Sequence, residues 1–452
     1  MRLTRDKRVI IPLAGLAVLG LALTGCTGDA PASSGGTAAA GCEDYASYGT
    51  FTGSPTVSIY STIVDVEADQ LNQSWADFEK CTGITIKYEG SQEFETQINV
   101  RAQGGNPPDL AIFPQPGLLA SMVAGGYLKP APQSVSDNVD KNWSADWKKY
   151  GTVGGTFYGA PLMASVKGYI WYSPTFFKSN GYTIPKTLDE LTTLTAKIAA
   201  DGKAKPWCAG FASGEASGWP GTDWIEDVVL RQSGPDVYDK WVTNDVKFTD
   251  PKITKAFDYV GNFLKNPAYV NAGFGDVTSV NSTTFQDAGL PILQSQCAMM
   301  HQASFYEAQW PKGTTVSPTG DVFAFYLPPV NPAIPTPVEG GGEFVAAFSS
   351  DPATQAVQNY VSSPQWADAR IAVAPGWVSA NEKVDQSLYT DPIDKISAKF
   401  LADPNATFRF DASDAMPAAV GSGAEWKAMV DWFGSGMSIA NVAKEIDAAW
   451  PS

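Results

Sequence analysis

The sequence predicts an α/β protein built as two lobes, and two observations carry that expectation. At 452 residues the chain exceeds what one hydrophobic core usually serves. From residue 56 onward, short strand-like runs alternate with helical patterns across short links, the sign of βαβ units and a largely parallel sheet. Hydrophobic residues make up 44% of the chain and charged residues 17%, with 14 Trp, 17 Tyr and 22 Phe, so core material is ample and aromatics are in surplus.

Residues 56–60 (TVSIY) alternate as a strand and end at Ser61 and Thr62. Leu71, Trp75 and Phe78, spaced four and three apart, predict a helix behind it. Residues 84–88 (ITIKY) form the next strand, leading into Gln92 and Glu93, and Phe94, Ile98 and Arg101 mark another helix. A Gly-Gly-Asn-Pro-Pro break precedes a buried strand over 109–113 (DLAIF), which ends at Pro114 and Gln115, and a helix is expected over 118–128. Ligands of parallel sheets bind beyond the carboxyl ends of the strands. That singles out Ser61, Thr62, Gln92, Glu93 and Gln115. Further on, helices are predicted over 187–200 and 253–264, each opened by turn or capping residues. Residues 296–300 (QCAMM) read as a short strand ending at His301, Gln302 and Phe305.

Three stretches carry possible chemistry. Residues 206–231 (PWCAGFASGEASGWPGTDWIEDVVLR) place Trp219 and Trp224 either side of an expected tight turn, beside Thr222 and Asp223. Flat rings beside short polar groups suit a sugar, whose C–H faces stack while its hydroxyls hydrogen-bond. The plain alternative is two core tryptophans at a helix start, with Asp223 capping that helix. Residues 408–414 (FRFDASD) alternate aromatic and polar side chains and present two carboxylates. Asp414 is the stronger ligand candidate; Ser413 and Asp411 also suit a cap, and Arg409 is expected to pair with Asp411. Residues 338–344 (VEGGGEF) read as a glycine-rich loop before a strand. A phosphate cradle would need a lysine-serine or a GxGxxG opening a helix, and this segment has neither.

The order of these pieces resembles the family 1 extracellular solute-binding proteins of ABC transporters, the receptors for carbohydrates. The resemblance rests on PPDLAIF, on the helix ending in GGYL, and on YGAPL leading to YIWY, and it spans residues 43–452. WCAGFASGEASGWPGTDWIED, CAMMHQASF and FRFDASDAMP resemble the α-glucoside-binding branch. The resemblance implies a two-lobed periplasmic-binding-protein-like fold of type II, with the ligand in a cleft between lobes joined by hinge crossings. Crossings are expected over 159–167, over 327–337 and near 365–375. They divide the chain into lobe 1 (43–160 and 328–368) and lobe 2 (161–327 and 369–452). On the same footing, the ligand-binding candidates are Gln92, Glu93, Gln115, Lys167, Trp219, Asp223, Trp224, Gln302, Phe305, Gly341, Glu343, Trp377, Arg409 and Asp414. No catalytic or metal-binding residue and no cofactor is expected. The sole histidine, His301, reads as structural, since zinc sites normally need several His or Cys ligands.

The N-terminus points to export. Arg2, Arg5, Lys7 and Arg8 precede an apolar run over 9–23, short for a span of roughly 20 residues but suited to a signal peptide. The run ends in Leu23, Thr24, Gly25 and Cys26, a pattern that resembles a lipobox; cleavage of 1–25 would leave Cys26 to be lipidated, and two acyl chains suffice for stable anchoring. Residues 26–41, small and nearly uncharged, read as a tether. The four remaining cysteines suit two disulfides in an exported chain. Of three possible pairings, the nearest-neighbour closures Cys42–Cys81 and Cys208–Cys297 are preferred. The net charge of -16 argues against nucleic acid as a partner. The resemblance implies a monomer that takes a carbohydrate, an α-glucoside by the branch it resembles, to ABC permease subunits. A secreted glycoside hydrolase is the alternative; it would need two carboxyls about 5–9.5 Å apart across the scissile bond.

Overall fold

The computed structural model describes residues 40–273, 277–333, 336–403 and 406–451; the leader, Cys26 and most of the tether lie outside them. The first sheet starts with β1 (Thr56–Ser61), β2 (Thr85–Gly90) and β3 (Leu110–Phe113), all parallel with β1 in the middle. Helices Asp65–Ser74, Ala76–Thr82 and Phe94–Gln103 link them, Trp75 dividing what its spacing suggests is one helix. Leu71, Trp75, Phe78, Phe94 and Ile98 are buried under the sheet, as the periodicity requires.

A small hairpin of β4 (Thr152–Val153) and β5 (Thr156–Phe157) precedes β6 (Ala160–Val166), which leads out of the first sheet. The second sheet collects β7 (Tyr169–Tyr172), β8 (Lys205–Cys208), β9 (Val270–Asn271), β10 (Cys297–Gln302) and β11 (Phe323–Tyr326), in the order β11-β7-β10-β8-β9. The chain returns to the first sheet as β12 (Val338–Ala347), which pairs with β3, β6 and β13 (Phe408–Phe410).

Two expectations are corrected here. Residues 338–344 are not a loop but the first part of β12. A Cβ on Gly340 would meet the Phe408 ring and the Ser165 carbonyl, and one on Gly342 would meet the Met163 carbonyl and the Trp147 ring. The glycines let a strand pass between close neighbours on both sides. The third crossing also comes later than 365–375. Val378, Val384 and Tyr389 pack in the core of the first lobe, Ile393, Ser397 and Phe400 then reach Tyr169 and Tyr326 of the second sheet, and β13 pairs with β12 before the chain enters the second core after Phe410. Ala412, Met416, Val420 and Trp432 then belong to the second core.

Both preferred disulfides are formed, Cys42–Cys81 with Cα atoms 5.3 Å apart and Cys208–Cys297 at 5.5 Å. By loop entropy each contributes about 4 kcal/mol.

Candidate ligand-binding cleft

A cavity of about 200 Å³ lies between the lobes, where β1, β2 and β3 end and the crossings pass. The first lobe contributes Thr62, Glu67, Gln92, Glu95, Gln115 and Glu343; the second contributes Ser213, Trp219, Phe285 and Phe305. Lys167, Asp411 and Asp414 line it from the crossings. The lobes touch at its rim. The Glu215 amide donates to the Gln92 carbonyl at 3.4 Å, and Gln309 Nε2 donates to Glu67 Oε2 at 3.2 Å.

One wall is aromatic. Trp219 and Phe285 meet edge to face with centroids 5.0 Å apart, and Phe305 stands 6.0 Å from Trp219. All three rings are only half-buried, so each keeps surface toward the cavity. The Trp219 ring is fixed by its backbone: Gly218, at φ 112°, opens the helix Trp219–Ser233 pressed against the Trp426 main chain, where a Cβ would collide.

The facing wall is acidic and short of donors. Gln115 Nε2 donates to Glu95 Oε1 at 3.0 Å, which leaves Gln115 Oε1 and Glu95 Oε2 buried without a partner, and Glu343 Oε2 is likewise unpaired. Burial pushes the Glu95 carboxyl up to about 6, Glu67 to about 7 and Glu343 to about 8. Behind them Arg370 is buried with Nε and Nη1 unpaired, and burial lowers it to about 10 despite Glu67 and Glu343. Buried polar atoms normally have partners. Unpaired acceptors on residues that line a cavity together with three half-buried rings fit a ligand with many hydroxyl donors and exposed C–H faces.

Residues 65–368 match the family of bacterial extracellular solute-binding proteins, about two thirds of the chain. The chain belongs to that family. It is a solute-binding component of an ABC transporter, not an enzyme, which sets the hydrolase alternative aside. It is 38% identical over 389 residues to the alpha-glucosides-binding periplasmic protein AglE of Rhizobium meliloti, covering 84% of this chain and 83% of that one. It is 33% identical over 398 residues to the osmoprotective compounds-binding protein GgtB of Synechocystis, covering 87% and 92%. Among solved structures, the bacterial solute receptor AcbH superposes with a TM-score of 0.73 at 21% identity, over 88% of this chain and 98% of that one. A chitin oligosaccharide binding protein superposes at 0.70 and 17% identity, over 87% and 97%. These structural likenesses establish the two-lobed type II fold.

Within this solute-binding protein the anticipated residues divide. Gln92, Gln115, Lys167, Trp219, Phe305, Gly341, Glu343, Trp377 and Asp414 line the cleft. Five do not. Trp224 is buried in the second core, 5.1 Å from Trp207 and stacked 4.3 Å over His301, so it is a core residue. Asp223 caps nothing, because the helix begins at Trp219; it binds Lys167 Nζ at 2.9 Å. Gln302 turns back to accept from the Ala303 amide at 2.8 Å. Arg409 grips Asp239 with Nε and Nη2, at 2.5 and 2.9 Å, and not Asp411. Glu93 is exposed on the rim, where a hydrogen bond with the carboxyl of Glu215 raises it.

Glu67, Glu95, Phe285 and Gln309 are cleft residues that sequence reasoning missed. Glu95 had a signal, since it sits two positions beyond Glu93 at the end of β2. His301 is structural: buried, with Nε2 2.8 Å from Asp227 Oδ2. Burial lowers its basicity although Asp227 favours the charged form.

Proposed function

We propose that this solute-binding protein captures an α-glucoside or a related small glucoside in the interlobe cleft and hands it to its permease from a lipid anchor at Cys26. The observation that carries the ligand class is the pairing of the Trp219–Phe285–Phe305 wall with the unpaired acceptors of Glu95, Gln115 and Glu343. Sugar rings stack by their apolar faces and donate hydroxyls to carboxylates and amide oxygens. The identity to AglE supports the α-glucoside choice, and the GgtB likeness extends it to small glucosides.

The lobes work as a hinge. Open, one lobe meets the sugar; closure brings the other wall onto it and forms rim contacts such as Gln309–Glu67. Ligand therefore shifts the population toward the closed form that the permease reads.

A thermal-shift screen over maltose, sucrose, trehalose, a β-glucoside, xylo-oligomers and glycerol tests the ligand class. A ligand at 100 times its Kd adds about 2.7 kcal/mol of stability. An α-glucoside is expected to raise Tm; silence from every α-glucoside with a response to another sugar overturns the ligand class alone. Anchoring is tested by incorporation of labelled fatty acid in cells, which Cys26→Ala should abolish.

A further inference from the structure

Asp414 lines the cleft from a turn whose own backbone could have claimed its carboxyl. Asp side chains commonly fold back onto nearby main-chain N–H groups. Here those groups are already taken. The amides of Ala412 and Ser413 both donate to Glu226, the second at 3.2 Å, and the Asp414 amide donates to Asp411 Oδ1 at 2.8 Å. The next two amides, of Ala415 and Met416, bond to the carbonyls of Asp411 and Ala412.

Both carboxylates are themselves anchored. Glu226 is fully buried on the helix Trp219–Ser233, where Trp219, Thr222 and Glu226 share one face. Thr222 Oγ1 lies 3.4 Å from Ser413 Oγ, and Trp426 Nε1 donates to that hydroxyl at 3.4 Å. Lys167 holds the other oxygen of Asp411. The turn that carries Asp414 is thus fixed to the helix that opens with the Trp219 ring.

We propose, on the strength of the sugar-binding reading of the cleft, that Glu226 and Asp411 are positioning residues for ligand binding. By occupying the amides of residues 412–414 they keep the Asp414 carboxyl free for sugar hydroxyls, at a set reach from Trp219. Glu226 is not part of the cavity wall, so its effect on affinity passes through Asp414.

Isosteric substitution tests this. Glu226→Gln keeps the volume but turns its own NH2 toward one of the two main-chain amides, leaving that amide for Asp414. Titration calorimetry with maltose, sucrose and trehalose compares the native protein, Glu226→Gln, Asp414→Asn and the double variant. Glu226→Gln should weaken binding about tenfold, and adding it to Asp414→Asn should cost nothing further. Equal losses in both backgrounds would show that Glu226 acts on the fold alone, and would overturn the proposal. Native affinity in Glu226→Gln or in Asp414→Asn overturns it as well. Asp411→Asn, whose one oxygen cannot serve both Lys167 and the Asp414 amide, takes the same place in the cycle if Glu226→Gln does not fold. If the native protein answers only to another sugar of the thermal screen, the α-glucoside class fails and the cycle is read with that sugar. If it answers to none, both readings fall.

Discussion

Lys167 Nζ donates to Asp223 Oδ1 at 2.9 Å, joining the residue just past β6 to the second turn of the helix Trp219–Ser233. The same ammonium binds Asp411, at the last crossing. Two crossings and one lobe thus meet at one buried charge. Burial opposes the charge on Lys167, but Asp223 and Asp411 outweigh it and hold the ammonium well above its usual range.

Removing that charge strands two buried carboxylates. Lys167→Met is expected to cost about 3–5 kcal/mol in urea denaturation. A loss below about 1 kcal/mol would mean the pair is not formed in solution.

Trp219 and Trp224 separate binding from folding. Trp224→Ala empties a core site and should cost about 3–5 kcal/mol in stability. Trp219→Ala removes a half-buried ring from the cleft, so it should weaken sugar binding at least tenfold while leaving Tm within a few degrees. If Trp219→Ala unfolds the protein, its ring is core and not platform.

The acidic wall predicts a pH dependence. Glu343 and Glu67 have folded pKa values of about 8 and about 7, raised by burial above the ordinary carboxyl range. Between that range and pH 8 the folded state binds more protons than the unfolded chain, so stability falls as pH rises. The sugar-free protein should therefore melt higher at pH 5.5 than at pH 8.5, and Glu343→Gln should flatten the slope. A Tm that climbs toward pH 8.5 would reverse the sign and refute the assignment.

The disulfide from β8 to β10 should matter to the second lobe. Cys208→Ala with Cys297→Ala is expected to lower stability by about 4 kcal/mol. An unchanged denaturation midpoint would show that the bond is absent or redundant.

Much of this was legible in the sequence because burial on one face leaves a periodic trace and burial on both an unbroken apolar run. The strands over 56–60 and 109–113 and the helices over 187–200 and 253–264 each lie within one or two residues of their observed counterparts at most ends. Trp219 and Phe305 were legible as aromatics next to turns. What failed depended on contacts distant in sequence. Nothing local tells Arg409 that Asp239 lies beside it, or tells Gly340 that Phe408 will press on its face. The late third crossing failed for the same reason. Residues 378–389 have no regular period, and their membership of the first lobe rests on packing alone.

Titration calorimetry with maltose, sucrose and trehalose on the native protein and on Trp219→Ala tests the central claim most directly. The account predicts saturable one-to-one binding of at least one of these sugars, weakened at least tenfold by the substitution. Binding that Trp219→Ala leaves unchanged, or no binding of any α-glucoside, would contradict it.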